Sequence, residues 1–254
     1  MRRRFFVEQF DGARATLRGD AAEHLGRVLR AEPGQLYELS DGERVWLGRV
    51  ESIGLLKRGE NRIEFSLVEP VAAHETALPV DLLIALVKFD RFEWCLEKAT
   101  ELGVRNIVPI VAARSDKALV GAAEKRHARW EKILVESAQQ SRRVRAPKLE
   151  SAVNADVAFA RGRAELKILL SEHDDAPPLR NVLGGKPSHS VALAIGPEGG
   201  WTDAELDSAC GAGFAEASLG PLILRTETAV LSALAIVNFT LGDNHRGAIE
   251  IQKI

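Results

Sequence analysis

Two stretches in the last third of the chain carry residue types that could hold and activate a ligand. The first is Ile195-Gly196-Pro197-Glu198-Gly199-Gly200-Trp201. Its three glycines let the backbone approach a ligand closely and present N–H groups with no side chain in the way. The second is Ser218-Leu219-Gly220-Pro221-Leu222-Ile223-Leu224-Arg225-Thr226-Glu227-Thr228-Ala229. Core packing accounts for its aliphatic residues but not for the polar run that follows. Thr226 or Thr228 can cap a helix starting here, and Glu227 suits the positive helix end. Arg225 has the wrong sign for that field, so a ligand or a partner carboxylate explains it better. The glycine spacing of the first stretch is not that of a dinucleotide fingerprint, and no Lys-Ser or Lys-Thr pair makes it a P-loop. The chemistry indicated is backbone binding of a ligand other than a nucleotide phosphate, beside a permanent cation. Taken alone, the first stretch is better read as a plain strand-to-helix turn.

The elements around these stretches put them at the ends of strands. Val191 to Ile195 is a buried strand leading into the first, and Thr202-Asp203-Ala204-Glu205 behind it has capping-box spacing. Thr228 to Leu241 is an apolar helix. Upstream, Val80 to Val87, Val104 to Val111 and Leu166 to Leu170 read as further strands. A helix opening at Asp90 places Phe92, Cys95, Leu96, Ala99 and Leu102 on one face and closes at Gly103. A longer one, Lys125 to Ser141, turns Trp130, Ile133, Leu134, Ser137 and Ala138 inward. Such alternation implies a parallel sheet with helices on both faces, and ligands gather at the carboxyl ends of its strands. Residues 1–70 read differently, as a small β unit. Phe5 to Val7, Leu36 to Leu39, Val45 to Val50 and Ile63 to Val68 are its strands, with an Asp41-Gly42 hairpin turn. A helix from the capping-box spacing at Asp20-Ala21-Ala22-Glu23 runs through His24 to Arg30 and stops at Pro33-Gly34. Residues 71–79 read as a linker to the domain 80–254.

Composition narrows the function further. The 254 residues carry a net charge of -2, so no bulk basic field exists and an anionic partner must be met by local clusters. Cys95 and Cys210 form neither a disulfide framework nor a metal knuckle, which points to a reducing, cytoplasmic setting. The basic start Met1 to Arg4 is followed by no apolar stretch of signal length, and no run reaches the length of a membrane span. The six histidines, His24, His74, His127, His173, His189 and His245, show no metal-ligand spacing.

With these motifs in view, the chain resembles the ribosomal RNA small subunit methyltransferase E family. Arg4-Phe5-Phe6 and His24 to Arg30 resemble that family's N-terminal signatures, and Glu97 to Val104 its first methyltransferase helix. Arg129 to Ile133 with Ala138 to Arg142 resembles its central helix. Gly196 to Gly200 and Leu219 to Ala229 resemble the two C-terminal motifs in order and spacing. The intervals 112–124 and 150–165 carry nothing diagnostic. The resemblance implies methylation of N3 of a uridine in 16S ribosomal RNA by S-adenosyl-L-methionine, without a metal. It implies a PUA-like RNA-binding β-barrel over 1–70 and a SPOUT domain, threaded into a trefoil knot, over 80–254. It implies a homodimer acting on 16S ribosomal RNA or the assembled small ribosomal subunit.

On that reading the cofactor-binding residues are Ile195, Gly196, Pro197, Glu198, Gly199, Gly200, Leu219, Gly220, Leu222, Leu224, Arg225, Thr226, Thr228 and Ala229. Uridine N3 bears a proton between two carbonyls and is a poor nucleophile until that proton leaves. A base must take it, or a cation must stabilise the charge that develops on O2 or O4. Arg225 is the candidate for the cation, and Glu198 or Glu227 for the base; either carboxylate could instead orient Arg225 or cap a helix. RNA phosphates are expected on Arg3, Arg4, Arg27 and Arg30 in the small unit and on Arg126, Arg129 and Arg142 in the long helix. Each of these arginines alone is also consistent with a solvated face. A related enzyme acting on a ribose 2′-oxygen or another base, or a non-catalytic RNA-binding or ribosome-assembly protein on the same fold, is the alternative.

Overall fold

The computed structural model describes residues 3–54, 61–72, 78–184 and 188–242. Arg2, part of the linker segment (73–77), and the end of the chain from 243, with His245, lie outside them; His74 falls in that linker part. The chain divides into two units, Met1–Glu75 with Val135–Ala146, and Thr76–Leu134 with Pro147–Ile254.

The first unit is built from strands β1 (Arg4–Phe6), β2 (Phe10–Asp11) and β3 (Arg14–Arg18), helix α1 (Gly19–Glu23), and strands β4 (Leu36–Ser40), β5 (Val45–Gly54) and β6 (Arg62–Pro70). They form one six-stranded sheet in the order β1-β4-β5-β6-β3-β2, and among the described residues the ladder ends at β1 and β2. Only the β1–β4 pair is parallel. Period-two alternation sends Ile63 and Phe65 inward to join Phe5, Leu17, Leu25 and Leu39. Each such side chain contributes about 1.5–3 kcal/mol by leaving water. One element is unforeseen and one local expectation fails. The β2–β3 hairpin carries too few apolar residues to announce itself. The helix starts a residue before Asp20, with Arg18 at its N-cap, so Asp20 lies in the first turn rather than at the cap. There it still favours the positive helix end. From His24 to Val28 the turns widen to π-helical geometry, and Arg30 then leaves at a φ of 53°.

The second unit begins with β7 (Val80–Ala85), α2 (Phe89–Glu101) and β8 (Asn106–Val111). Helix α3 (Lys117–Gln140) follows; its last turns fall in the segment grouped with the first unit. Then come β9 (Lys148–Leu149), β10 (Val153–Asn154), α4 (Ala155–Arg161), β11 (Leu166–Leu170), α5 (Leu179–Leu183), β12 (Val191–Ile195), α6 (Asp203–Gly211), β13 (Ala215–Ala217) and α7 (Thr226–Leu241). The sheet runs β10-β8-β7-β12-β11-β13, with β9 also on β8. Every pair in it is parallel. This is the α/β fold expected from the alternation of strand and helix. All five residues of β12 are buried, as a central strand covered on both faces requires. Helix α2 buries Phe92, Cys95, Leu96 and Ala99 on the expected stripe, and its end is held by Asn238 of α7, whose amide donates to the Leu102 carbonyl at 2.7 Å. Trp130 of α3 packs against Phe92 with ring centroids 4.7 Å apart, so it is core rather than a base-stacking platform. The carboxyl ends of β8, β11, β12 and β13 thus deliver four loops to one edge of the sheet.

Candidate active site

The loop after β12 is shaped by what surrounds its glycines. Gly200 takes a φ of +70°, which permits the tight turn closed by its N–H on the Pro197 carbonyl at 2.9 Å. Trp201 then turns inward. Its indole N–H donates to the Leu170 carbonyl at 2.9 Å and its ring meets Phe159 edge-on at 5.6 Å. A Cβ on Gly196 would lie 3.0 Å from that indole, so glycine is needed there for close approach. Behind the loop, Thr202 and Glu205 form the capping box the sequence predicts. Glu205, itself buried, also accepts the Ala113 N–H at 2.8 Å. Arg114 completes the frame. Its Nη1 donates to the carbonyls of Gly199 (2.6 Å) and Trp201 (3.1 Å).

The loop after β13 is fastened at Ser218, which exchanges backbone hydrogen bonds with Pro177 and Leu179, each at 2.8 Å. It runs on through Gly220 (φ +126°) to the start of α7, where Arg225 is the N-cap residue. Thr226 ties this loop to the first, its hydroxyl donating to the Gly196 carbonyl at 3.3 Å. Between the loops lies a cavity of about 510 Å³, a size suited to a small molecule of cofactor dimensions.

Of the residues expected to hold a cofactor, Ile195, Gly196, Pro197, Gly199, Gly200, Leu219, Gly220, Leu222, Leu224, Thr226 and Ala229 line this cavity. Glu198, Arg225 and Thr228 are not among its lining. The Glu198 carboxylate turns to α2 instead, where Arg91 donates to it at 2.6 Å. Arg91 also faces Glu227 at 3.9 Å, so one guanidinium sits between carboxylates from both loops. Glu227 keeps one buried oxygen without a hydrogen bond among the described residues. Nearby, burial, and secondarily the Glu227 charge, push the Cys95 thiol up to about 12, which leaves it an inert core residue. Arg225 is exposed; its carbonyl accepts the Ala229 N–H at 2.9 Å, and its side chain caps nothing.

A third wall escaped the sequence reading. Ser171, Glu172, His173, Asp174 and Ala176, after β11, line the cavity together with Arg114 from the loop after β8. Neither segment has a glycine motif, but both follow buried strands. The rule that ligands gather at strand ends would have flagged them.

The arginines expected on RNA divide. Arg3 and Arg30 are exposed, and Arg27 is exposed beside Glu23 of its own helix at 3.1 Å. Arg4 is different: it is 4% exposed and donates to Glu38 at 2.9 Å and to the Arg142 carbonyl. Arg142 joins the same carboxylate at 3.0 Å and holds a φ of 59°. This is an internal ion triad stitching Val135–Ala146 to β1 and β4, not a free phosphate contact. On α3, Arg126 and Arg129 both reach Glu93, and Arg126 also stacks over Phe89 at 5.0 Å. No group of three potential metal ligands occurs among the described residues.

Fold and site together define a parallel α/β sheet with its ligand cavity at the last strand ends, and comparison with known proteins specifies the class. The RNA methyltransferase domain family matches residues 74–238. The ribosomal RNA small subunit methyltransferase E of Synechocystis is 34% identical over 240 residues, covering 92% of this chain and 76% of the relative. That of Mycobacterium bovis is 31% identical over 239 residues, covering 92% and 90%. The crystal structure of the Neisseria gonorrhoeae enzyme of that name, bound to S-adenosyl methionine, superposes with a TM-score of 0.84 at 30% identity, covering 96% of this chain and 100% of that one. The chain belongs to the ribosomal RNA small subunit methyltransferase E family.

Proposed function

We propose that this protein methylates N3 of a uridine in 16S ribosomal RNA, using S-adenosyl-L-methionine. The observation that carries the proposal is the cavity formed by the loops after β11, β12 and β13, whose walls match that ligand in kind. Leu219, Leu222 and Leu224 supply apolar surface for an adenine, and glycines 196, 199, 200 and 220 leave backbone groups open to an amino-acid end. The Neisseria gonorrhoeae relative, which holds S-adenosyl methionine, supports the same ligand here.

When bound, the cofactor supplies an electrophilic methyl group on a sulfonium. Everything else is the task of this chain. The framed loops hold the ligand in one orientation, and orientation of this kind is worth roughly 7–11 kcal/mol in ideal cases. Arg225, exposed at the N-cap of α7, offers a permanent cation to the charge that builds on uridine O2 or O4 once N3 loses its proton. Glu198 is the candidate to accept that proton, with Arg91 fixing its carboxylate. That bond competes with base function, so proton transfer from uridine requires Glu198 to exchange this partner.

The six-stranded N-terminal sheet supports reading that unit as a PUA-like RNA-binding domain over 1–70, joined by the linker 71–79 to a SPOUT domain over 80–254 with a trefoil knot. Exposed Leu222, Ile223, Ile236 and Phe239 support a homodimer, since apolar side chains 38–82% exposed gain from a partner surface. The substrate, 16S RNA alone or in the assembled small subunit, places the enzyme in the cytoplasm. Calorimetry with S-adenosyl-L-methionine tests the cavity, and nucleoside mapping of 16S RNA from a deletion strain tests the target. Loss of 3-methyluridine is expected; loss of a ribose-methylated nucleoside, or an unchanged map, refutes the assignment.

A further inference from the structure

Arg114 stands apart from the other cations of this unit. It is the one arginine or lysine that lines the cavity among the described residues. Arg91, Arg126 and Arg129 are committed to carboxylates, whereas Arg114 is bound only to backbone carbonyls. Those two bonds use a single nitrogen, Nη1. Its Nε and Nη2 carry no hydrogen bond among the described residues, although Glu172 and Asp174 line the same cavity, and neither pairs with it.

The residue is also held in place from both sides. Ala113 donates its N–H to buried Glu205, and Ser115 bonds through its hydroxyl to the Leu86 carbonyl at 3.3 Å. A fixed backbone and a tethered Nη1 leave the other edge of a planar fork presented at an exposed position. Such a pre-ordered guanidinium edge matches the two oxygens of a phosphate, and little rotamer entropy remains to be lost on binding.

Resting on the RNA-methylation reading, we infer that Arg114 is a substrate-binding residue whose Nε/Nη2 edge takes a backbone phosphate of the target RNA at the cavity mouth while Nη1 keeps the Gly199–Trp201 turn in shape. Donor binding and RNA binding thereby share one side chain. An RNA phosphate is favoured over an acidic group of the donor because Arg114 stands exposed on the cavity wall, where a large polyanion reaches it.

Arg114→Lys separates the two tasks, because one ammonium can serve both carbonyls but has no fork. The full-length protein is assayed as wild type, Arg114→Lys and Arg114→Ala, with 16S RNA and S-adenosyl-L-methionine. In Arg114→Lys, the KM for RNA is expected to rise about tenfold with kcat within about twofold, the donor Kd staying close to wild type. For Arg114→Ala, the logarithmic salt slope of RNA binding falls by about one, one phosphate contact fewer, and the donor Kd rises as the turn loosens. An unchanged salt slope in Arg114→Ala, or a donor Kd that rises in Arg114→Lys while the KM for RNA holds, overturns the inference. A wild-type protein that neither binds donor nor methylates RNA overturns the functional reading beneath it instead.

Discussion

Gly196→Ala tests whether the cavity wall is set by close packing rather than by backbone flexibility. The added Cβ would stand 3.0 Å from Trp201 Cε2, 3.1 Å from Nε1 and 3.3 Å from Cδ2. Carbon atoms settle at about 3.5–4.0 Å, so the indole must retreat by about 0.5 Å. It has little freedom to do so. Trp201 is 6% exposed, bonded to the Leu170 carbonyl and set against Phe159. Overpacking of this kind costs about 1–3 kcal/mol, and stretching a buried hydrogen bond until it fails adds about 1–3 more. We expect a loss of about 2–6 kcal/mol in urea unfolding followed by tryptophan fluorescence, and a donor Kd raised more than about tenfold. Gly211→Ala is the control: open space surrounds it at the end of α6, and helix propensity predicts a gain of about 0.5–1 kcal/mol. The decisive measurement is a double-mutant cycle with Trp201→Phe. A smaller ring relieves the clash, so the double variant should be more stable than the two single losses predict. Additive losses would refute the packing argument, even if Gly196→Ala alone were destabilised.

Cys95 keeps its proton to about 12 in the folded chain while the unfolded thiol releases it near 9.0, so its contribution to stability is complete below pH 9 and lost as pH rises toward 12. The stability difference between wild type and Cys95→Ala should therefore fall by up to about 1.4 kcal/mol per pH unit across that window in urea titrations, and a flat difference refutes it. Arg4→Met breaks the buried pair with Glu38 and removes the tie to the Arg142 carbonyl; about 3 kcal/mol should be lost from the first unit, and a loss under about 1 kcal/mol would show the triad to be dispensable. Thr202→Ala removes the α6 cap and should cost about 1 kcal/mol in chemical denaturation, with the fold unchanged by circular dichroism.

The sheet was legible because burial writes itself into local sequence. Val80, Ile107, Ile168 and Leu193 sit in short apolar runs of strand length, and α2 repeats its apolar residues at helical spacing. What escaped was short or polar. α5 has five residues, and α3 begins eight residues before Lys125, where the expected helix starts. Tertiary contacts, not propensity, hold such pieces in place.

The site divides along a sharper line. Glycine loops declare themselves because backbone geometry dictates residue type: Gly200 and Gly220 occupy φ values that other residues resist, and Gly196 has no room for a side chain. Charged residues carry no such constraint, since a carboxylate or guanidinium can point wherever a partner waits. Glu198 looks like a base in the sequence, yet its direction is decided by Arg91, 107 positions away. Arg4 and Arg142 read as free cations until Glu38 claims both, and Glu93 does the same to Arg126 and Arg129. Arg114 inverts the error: nothing near it in sequence suggests a function, and its value comes from carbonyls at Gly199 and Trp201 that fix one nitrogen and leave two. Whether a charge serves a ligand is therefore settled by what else competes for it, and that competition is a property of the folded sheet edge rather than of any stretch of chain.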